Sequence, residues 1–129
     1  MEQYVKINRK RILFVNDDAD TIAIIKTGLT RYGFEVATFE DPRAALRNFN
    51  AGKYDLLLLD VLMKGIDGFK LYDEMRKIDG NIRICFMTAS NTTYEEYKGL
   101  YPGIQTECFI QKPITIKELA NLLGSILSK

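Results

Sequence analysis

Histidine is absent from all 129 residues. That excludes histidine-based general acid–base catalysis, Ser–His and His–Cys nucleophile pairs, and the commonest zinc ligand sets. Cysteine is scarce. Cys85 and Cys108 both sit inside apolar runs, Ile84-Cys85-Phe86-Met87 and Cys108-Phe109-Ile110. A free thiol there behaves as a small buried hydrophobe. No disulfide framework is expected, and a cytoplasmic location follows. No window approaches the roughly 18 apolar residues of a membrane span. No signal-peptide pattern precedes the first apolar segment, so membrane insertion is not expected. Neither sign of charge dominates: 18 basic and 17 acidic residues leave a net +1. The overall balance therefore gives no reason to expect direct nucleic-acid binding. The remaining chemistry must run on carboxylates, a lysine, hydroxyls and the backbone.

What is present has the length of one compact domain. Residues 1–10 are expected to be a flexible arm carrying Lys6, Arg9 and Lys10, and residues 11–129 the folded unit. Apolar strand patterns are expected over Arg11–Asn16, Phe34–Phe39, Tyr54–Asp60, Ile82–Thr88 and Glu107–Gln111. Helical patterns alternate with them: Asp20–Tyr32, Asp41 to about Asn50, about Gly68 to Lys77, Asn91–Leu100 and Thr115–Ser128. The second opens on Asp41-Pro42, an N-cap followed by proline. The last opens on Thr115 with Glu118 three residues on, a capping-box pattern. Asp20 is assigned to capping the first helix, and Asp67-Gly68 to a turn and helix start. Strand–helix alternation from end to end predicts an α/β, flavodoxin-like doubly wound sheet of five parallel strands in the order 2-1-3-4-5.

In such a sheet, ligands gather at the carboxyl ends of the strands. Those ends carry Asn16-Asp17-Asp18, then Asp60 after the run Leu56-Leu57-Leu58-Leu59, then Thr88-Ala89-Ser90, then Lys112-Pro113. Alone, a strand-end aspartate is usually a turn residue or N-cap, Thr88-Ala89-Ser90 is an ordinary strand-to-helix turn, and Lys112-Pro113 is a weak signal. Together they form a constellation. Carboxylates without histidine or thiolate favour a hard cation such as Mg2+, or Mn2+. Asp17 and Asp60 would supply two oxygens. A phosphoryl group suits the rest: Thr88 offers a hydroxyl, Lys112 a positive charge, and Asp60 a nucleophile able to form an acyl phosphate.

Val15-Asn16-Asp17-Asp18, Leu59-Asp60-x-x-Met63-x-x-x-Asp67-Gly68, Thr88-Ala89 and Lys112-Pro113 occur in an order and spacing that resemble the response-regulator receiver domains of two-component signalling. The likeness is to the stand-alone, chemotaxis-regulator type, and it extends from about Arg11 to the C-terminus. It implies that Asp60 is the phosphoacceptor, served by a sensor histidine kinase, a phosphotransfer protein or a small phosphodonor. It implies Asp17 and the backbone carbonyl of Leu62 as further Mg2+ ligands, with Asn16 meeting the metal through water. Thr88 and Phe109 take the family's switch positions, and the Lys112-Pro113 bond is expected to be cis. Output would pass to a downstream protein target through the fourth and fifth strands and their helices, with homodimerisation on phosphorylation as one outcome. On this reading the chain is a switch, not an enzyme, beyond its own phosphorylation and dephosphorylation.

The pattern departs from the family at several places. Asn16 stands where an acid is usual, which weakens Mg2+ binding unless Asp18 compensates in part. Lys64 replaces a proline and adds a charge beside the site. Phe109 lacks a tyrosine hydroxyl. Tyr97–Thr106 is atypical, which puts the usual output and dimer surface in question. Tyr94, Tyr97 and Tyr101 are either an interaction surface or half-buried packing. Leu62 and Ser90 flank the path of an attacking water, and neither can orient it, so slow loss of phosphate is expected. Asn16 also motivates a second class, a phosphorylation-independent receiver-like binding module. A third class, an aspartate-nucleophile phosphatase of the haloacid dehalogenase type, draws on Asp18-Ala19-Asp20 but lacks the expected hydroxyl residue and room for a cap domain. Flavin binding is disfavoured because no phosphate loop follows the first strand. The chain would end without an output domain, either as a stand-alone switch or as a receiver cut from a longer protein.

Overall fold

The computed structural model describes residues 9–89, 94–100 and 108–128. The elements alternate as β1 (Arg11–Val15), α1 (Ala19–Arg31), β2 (Glu35–Phe39), α2 (Pro42–Arg47), β3 (Leu56–Asp60), α3 (Gly68–Ile78), β4 (Arg83–Thr88), α4 (Tyr94–Leu100), β5 (Cys108–Gln111) and α5 (Ile116–Leu127). The strands are parallel and ordered β2-β1-β3-β4-β5, as the alternation predicts. The expected arm lies outside the described residues, apart from Arg9 and Lys10.

Side chains on a strand alternate between the two faces, so each central strand must be apolar at every position when both faces are covered. Leu56 and Leu58 join Ile12, Phe14, Cys85, Met87 and Ile110 under α1 and α5. Leu57 and Leu59 join Leu13, Val15, Ile84 and Phe86 under α2, α3 and α4. The leucine run thus serves two cores at once, and all four leucines are fully buried. Cys85 and Cys108 are both buried and free.

The helix ends follow local chemistry. Thr115 and Glu118 form the reciprocal capping box. Asp41 caps α2, which ends at Arg47, short of the expected Asn50, with Asn48 as its C-cap. Asp67 caps α3. For α1, the cap is Asp18 and not Asp20. Asp18 has extended backbone, and its Oδ2 accepts from both the N–H and the hydroxyl of Thr21, at 3.3 and 2.5 Å. Asp20 lies inside the first turn, where its charge still suits the helix dipole. The helix starts earlier because Asp18 has a hydroxyl partner three residues on.

Candidate functional site

Register carries the polar strand ends to one place. Val15 pairs with Leu59, so the next residues, Asn16 and Asp60, stand side by side past the apolar ladder. Thr88 pairs with Gln111, and the Lys112 N–H donates to the Thr88 carbonyl at 2.8 Å. Asn16, Asp60 and Lys112 continue the strand parity that faces α1 and α5. Thr88 continues the parity that faces α3 and α4.

The side chains meet accordingly. Asp60 is 8% exposed. Its Oδ2 accepts from Asn16 Nδ2 at 3.0 Å and lies 3.7 Å from Lys112 Nζ. Its Oδ1 has a long contact, 3.4 Å, from the Leu62 N–H. Burial pushes the Asp60 carboxyl up from its ordinary range. Lys112 pulls it back, and the neighbouring Asp17 charge adds to the rise. Asp17 is exposed, and its Oδ2 accepts from the Lys64 N–H at 2.9 Å, which ties the loop after β3 to the end of β1. The Lys112-Pro113 bond is cis, as expected.

For Mg2+ the donor set fits. Asp17 and Asp60 are hard oxygen donors close enough to sense each other's charge, and Mg2+ commonly takes one or two carboxylates with waters making up the rest. Of Leu62, whose carbonyl is the expected backbone ligand, it is the N–H that faces Asp60 Oδ1. Among the described residues no group of three or more acids, cysteines or histidines gathers as a cation site. Asp18 adds nothing to the Mg2+ donor set in this arrangement, because its carboxylate is turned into the α1 cap. The Thr21 hydroxyl bond holds that carboxyl below its usual range.

Thr88 is fully buried, and Phe109 is half-buried on the same side of the sheet. The Phe109 ring packs at 5.5 Å from Tyr97 of α4 and 6.5 Å from Phe86. Phe69 completes the chain of rings, 5.1 Å from Tyr97. Tyr97 is therefore core, not surface. Ser90, Tyr101 and the segment 101–107 lie outside the described residues, as does the Tyr94 side chain. Beside the site, α1 and the loop from Lys112 to Ile116 border an apolar groove of about 490 Å3.

One site residue escaped the sequence reading in this role. A Cβ on Gly68 would stand 2.3 Å from the carbonyl oxygen of Asp60, and the Gly68 N–H donates to the Val61 carbonyl at 2.9 Å. The first turn of α3 therefore rests directly on the backbone that carries Asp60. The Asp-Gly pair was visible as a turn, but nothing in the sequence pointed from it to Asp60. In the same loop, Gly65 has φ +89, a left-handed conformation that suits glycine.

Comparison with known proteins agrees with this geometry. The response regulator receiver domain family matches residues 12–124. The transcriptional regulatory protein PrrA of Mycobacterium tuberculosis is 30% identical over 123 residues, covering 95% of this chain and 52% of that protein. The uncharacterized transcriptional regulatory protein YrkP of Bacillus subtilis is 37% identical over 109 residues, covering 84% and 46%. The chain thus spans about half the length of the curated relatives it matches. Among solved structures, the response regulator TrrA of Thermotoga maritima, in complex with Mg2+–BeF, superposes with a TM-score of 0.77 at 29% identity. That match covers 91% of this chain and 98% of that one. The Vibrio cholerae chemotaxis protein CheY4 shares the fold, with a TM-score of 0.79 at 22% identity over 92% and 98% of the two chains. With five parallel strands in the order 2-1-3-4-5 and a buried aspartate, an exposed aspartate and a lysine at their carboxyl ends, the chain belongs to the response regulator receiver domain family.

Proposed function

We propose that this domain is a phosphorylation-dependent switch whose phosphoacceptor is Asp60. One observation carries the reading: a nearly buried carboxylate lies 3.7 Å from Lys112 Nζ and within reach of the charge of the exposed Asp17. A carboxylate oxygen of Asp60 attacks phosphorus. The P–N bond of a phosphohistidine, or the P–O bond of a small donor, breaks, and its electron pair leaves with the donor. Lys112 holds the negative charge carried by the transferred group. Asp17 and Asp60 would hold a Mg2+ ion, which would supply neutralisation of the phosphoryl oxygens when bound. The TrrA structure with Mg2+–BeF supports that part of the reading. Thr88 then shifts to donate its hydroxyl to the phosphoryl group. The Phe109 ring follows into the vacated space and changes what α4 and β5 present to a partner protein. No turnover of a separate substrate is part of this cycle.

Intact-mass measurement with acetyl phosphate and Mg2+, or with a phosphorylated kinase, tests it. One added phosphoryl group is expected. No gain with any donor would leave a phosphorylation-independent binding module in its place. The adduct should also persist for minutes or longer, because the side chain two residues past Asp60 is the exposed, apolar Leu62. A half-life of seconds in the isolated protein would contradict that expectation.

A further inference from the structure

The Asn16 amide is 1% exposed and bonded at both ends. Nδ2 donates to Asp60 Oδ2 at 3.0 Å, and Oδ1 accepts from the Asp18 N–H at 2.8 Å. The partners dictate this orientation. A carboxylate can only accept from the amide nitrogen, and a backbone N–H can only donate to the amide oxygen. A flipped amide would oppose oxygen to oxygen at one end and N–H to N–H at the other. The atom that faces the phosphoacceptor is therefore a donor, and one acceptor site of the amide oxygen is already used within the chain.

An aspartate at position 16 cannot make this arrangement. It would keep the bond from the Asp18 N–H but turn a second charged oxygen toward Asp60 Oδ2. Two carboxylates at that distance in a buried place repel, beyond what Lys112, 3.7 Å from the same Asp60 oxygen, offsets, so one of them must take a proton or the pair must draw in a further cation. The neutral amide removes that need.

We propose that Asn16 is a positioning residue that does in the resting protein what a bound cation would otherwise do. It holds the Asp60 carboxylate in place with a neutral hydrogen bond, so the site is ordered without a divalent ion. The same substitution removes one negative charge from the ion's surroundings. The domain then binds Mg2+ more weakly than an acid at this position would allow, and its folding is nearly indifferent to Mg2+. This rests on the phosphoacceptor reading for its consequence in signalling, but not for its test.

The test is thermal melting and calorimetric Mg2+ titration of the wild type, Asn16→Asp and Asn16→Ala, with EDTA or with Mg2+ present. The wild-type melting temperature should barely move on adding Mg2+. Asn16→Asp should melt several degrees lower in EDTA and recover with Mg2+. It should also bind the ion about tenfold or more tightly, as an added charge near a divalent ion requires. Asn16→Ala should melt lower without recovering, because it loses the bond and adds no charge. Equal melting of wild type and Asn16→Asp in EDTA would overturn the proposal, and so would equal Mg2+ affinities. If Asn16→Asp does not fold without Mg2+, the wild-type and Asn16→Ala curves still decide. None of these measurements needs phosphate, so a failure of phosphorylation would show separately by mass.

Discussion

Replacing Asp60 by asparagine should abolish phosphorylation and, at neutral pH, raise the melting temperature by a few degrees. Loss of the mass gain follows because an amide oxygen cannot form the acyl phosphate. The stability gain follows from the raised carboxyl pKa. Burial raises it, Lys112 opposes the rise and Asp17 adds to it. An acid whose pKa is higher in the folded state than in the unfolded state binds its proton more tightly when folded. Stability then falls as pH rises from the unfolded value, about 3.9, through the folded one, and the full penalty applies above both. The substitution removes that penalty. Its oxygen still accepts from Asn16 Nδ2, and the 3.4 Å contact to the Leu62 N–H is the weaker loss. Melting curves between pH 3 and pH 8 check the sign: the gain should shrink toward zero in acid. A variant that melts below wild type at neutral pH would show that the Lys112 pair outweighs burial.

Gly68→Ala should injure both fold and chemistry. The new methyl would lie 2.3 Å from the Asp60 oxygen, 3.0 Å from its carbonyl carbon and 3.1 Å from the Val61 Cα. All three are backbone atoms, so no side chain can rotate away. Either α3 lifts from the sheet or the end of β3 bends. Overpacking of this kind costs about 1–3 kcal/mol. Displacing Asp60 by a fraction of an ångström to one ångström should slow phosphorylation by roughly tenfold to a hundredfold. Gly124→Ala is the natural contrast. That residue lies inside α5 and a Cβ there meets nothing within 4 Å, so the change should stabilise by about 0.5–1 kcal/mol. Chemical denaturation and phosphorylation rates of the two variants separate the effects. A Gly68→Ala protein equal to wild type in both would mean that the backbone yields more cheaply than this contact implies.

Much of the fold was legible because its signals are local. The four-leucine run, in its place in the strand–helix alternation, reads as a strand covered on both faces, and Leu56 to Leu59 alternate between two cores accordingly. The capping box at Thr115 and Glu118 and the helix start at Asp67-Gly68 were readable for the same reason: each rests on contacts between residues three apart. The assignment of Asp20 failed on a detail of the same kind. Two acids competed for one cap, and the Thr21 hydroxyl decided for Asp18.

By itself, then, the sequence determined the strand–helix order and which polar residues end each strand, since period and turn chemistry act over a few residues. It also restricted the chemistry to carboxylates, a lysine and hydroxyls. Only the tertiary structure decided which of their atoms meet. Asn16 and Asp60 are 44 residues apart, and the direction of the amide between them depends on strand register and on the Asp18 backbone. The pressure of Gly68 on the Asp60 carbonyl arises in the same way, where a helix start folds back onto a strand end. Contacts of that kind are set by packing of the whole sheet, so no spacing within a motif could have announced them.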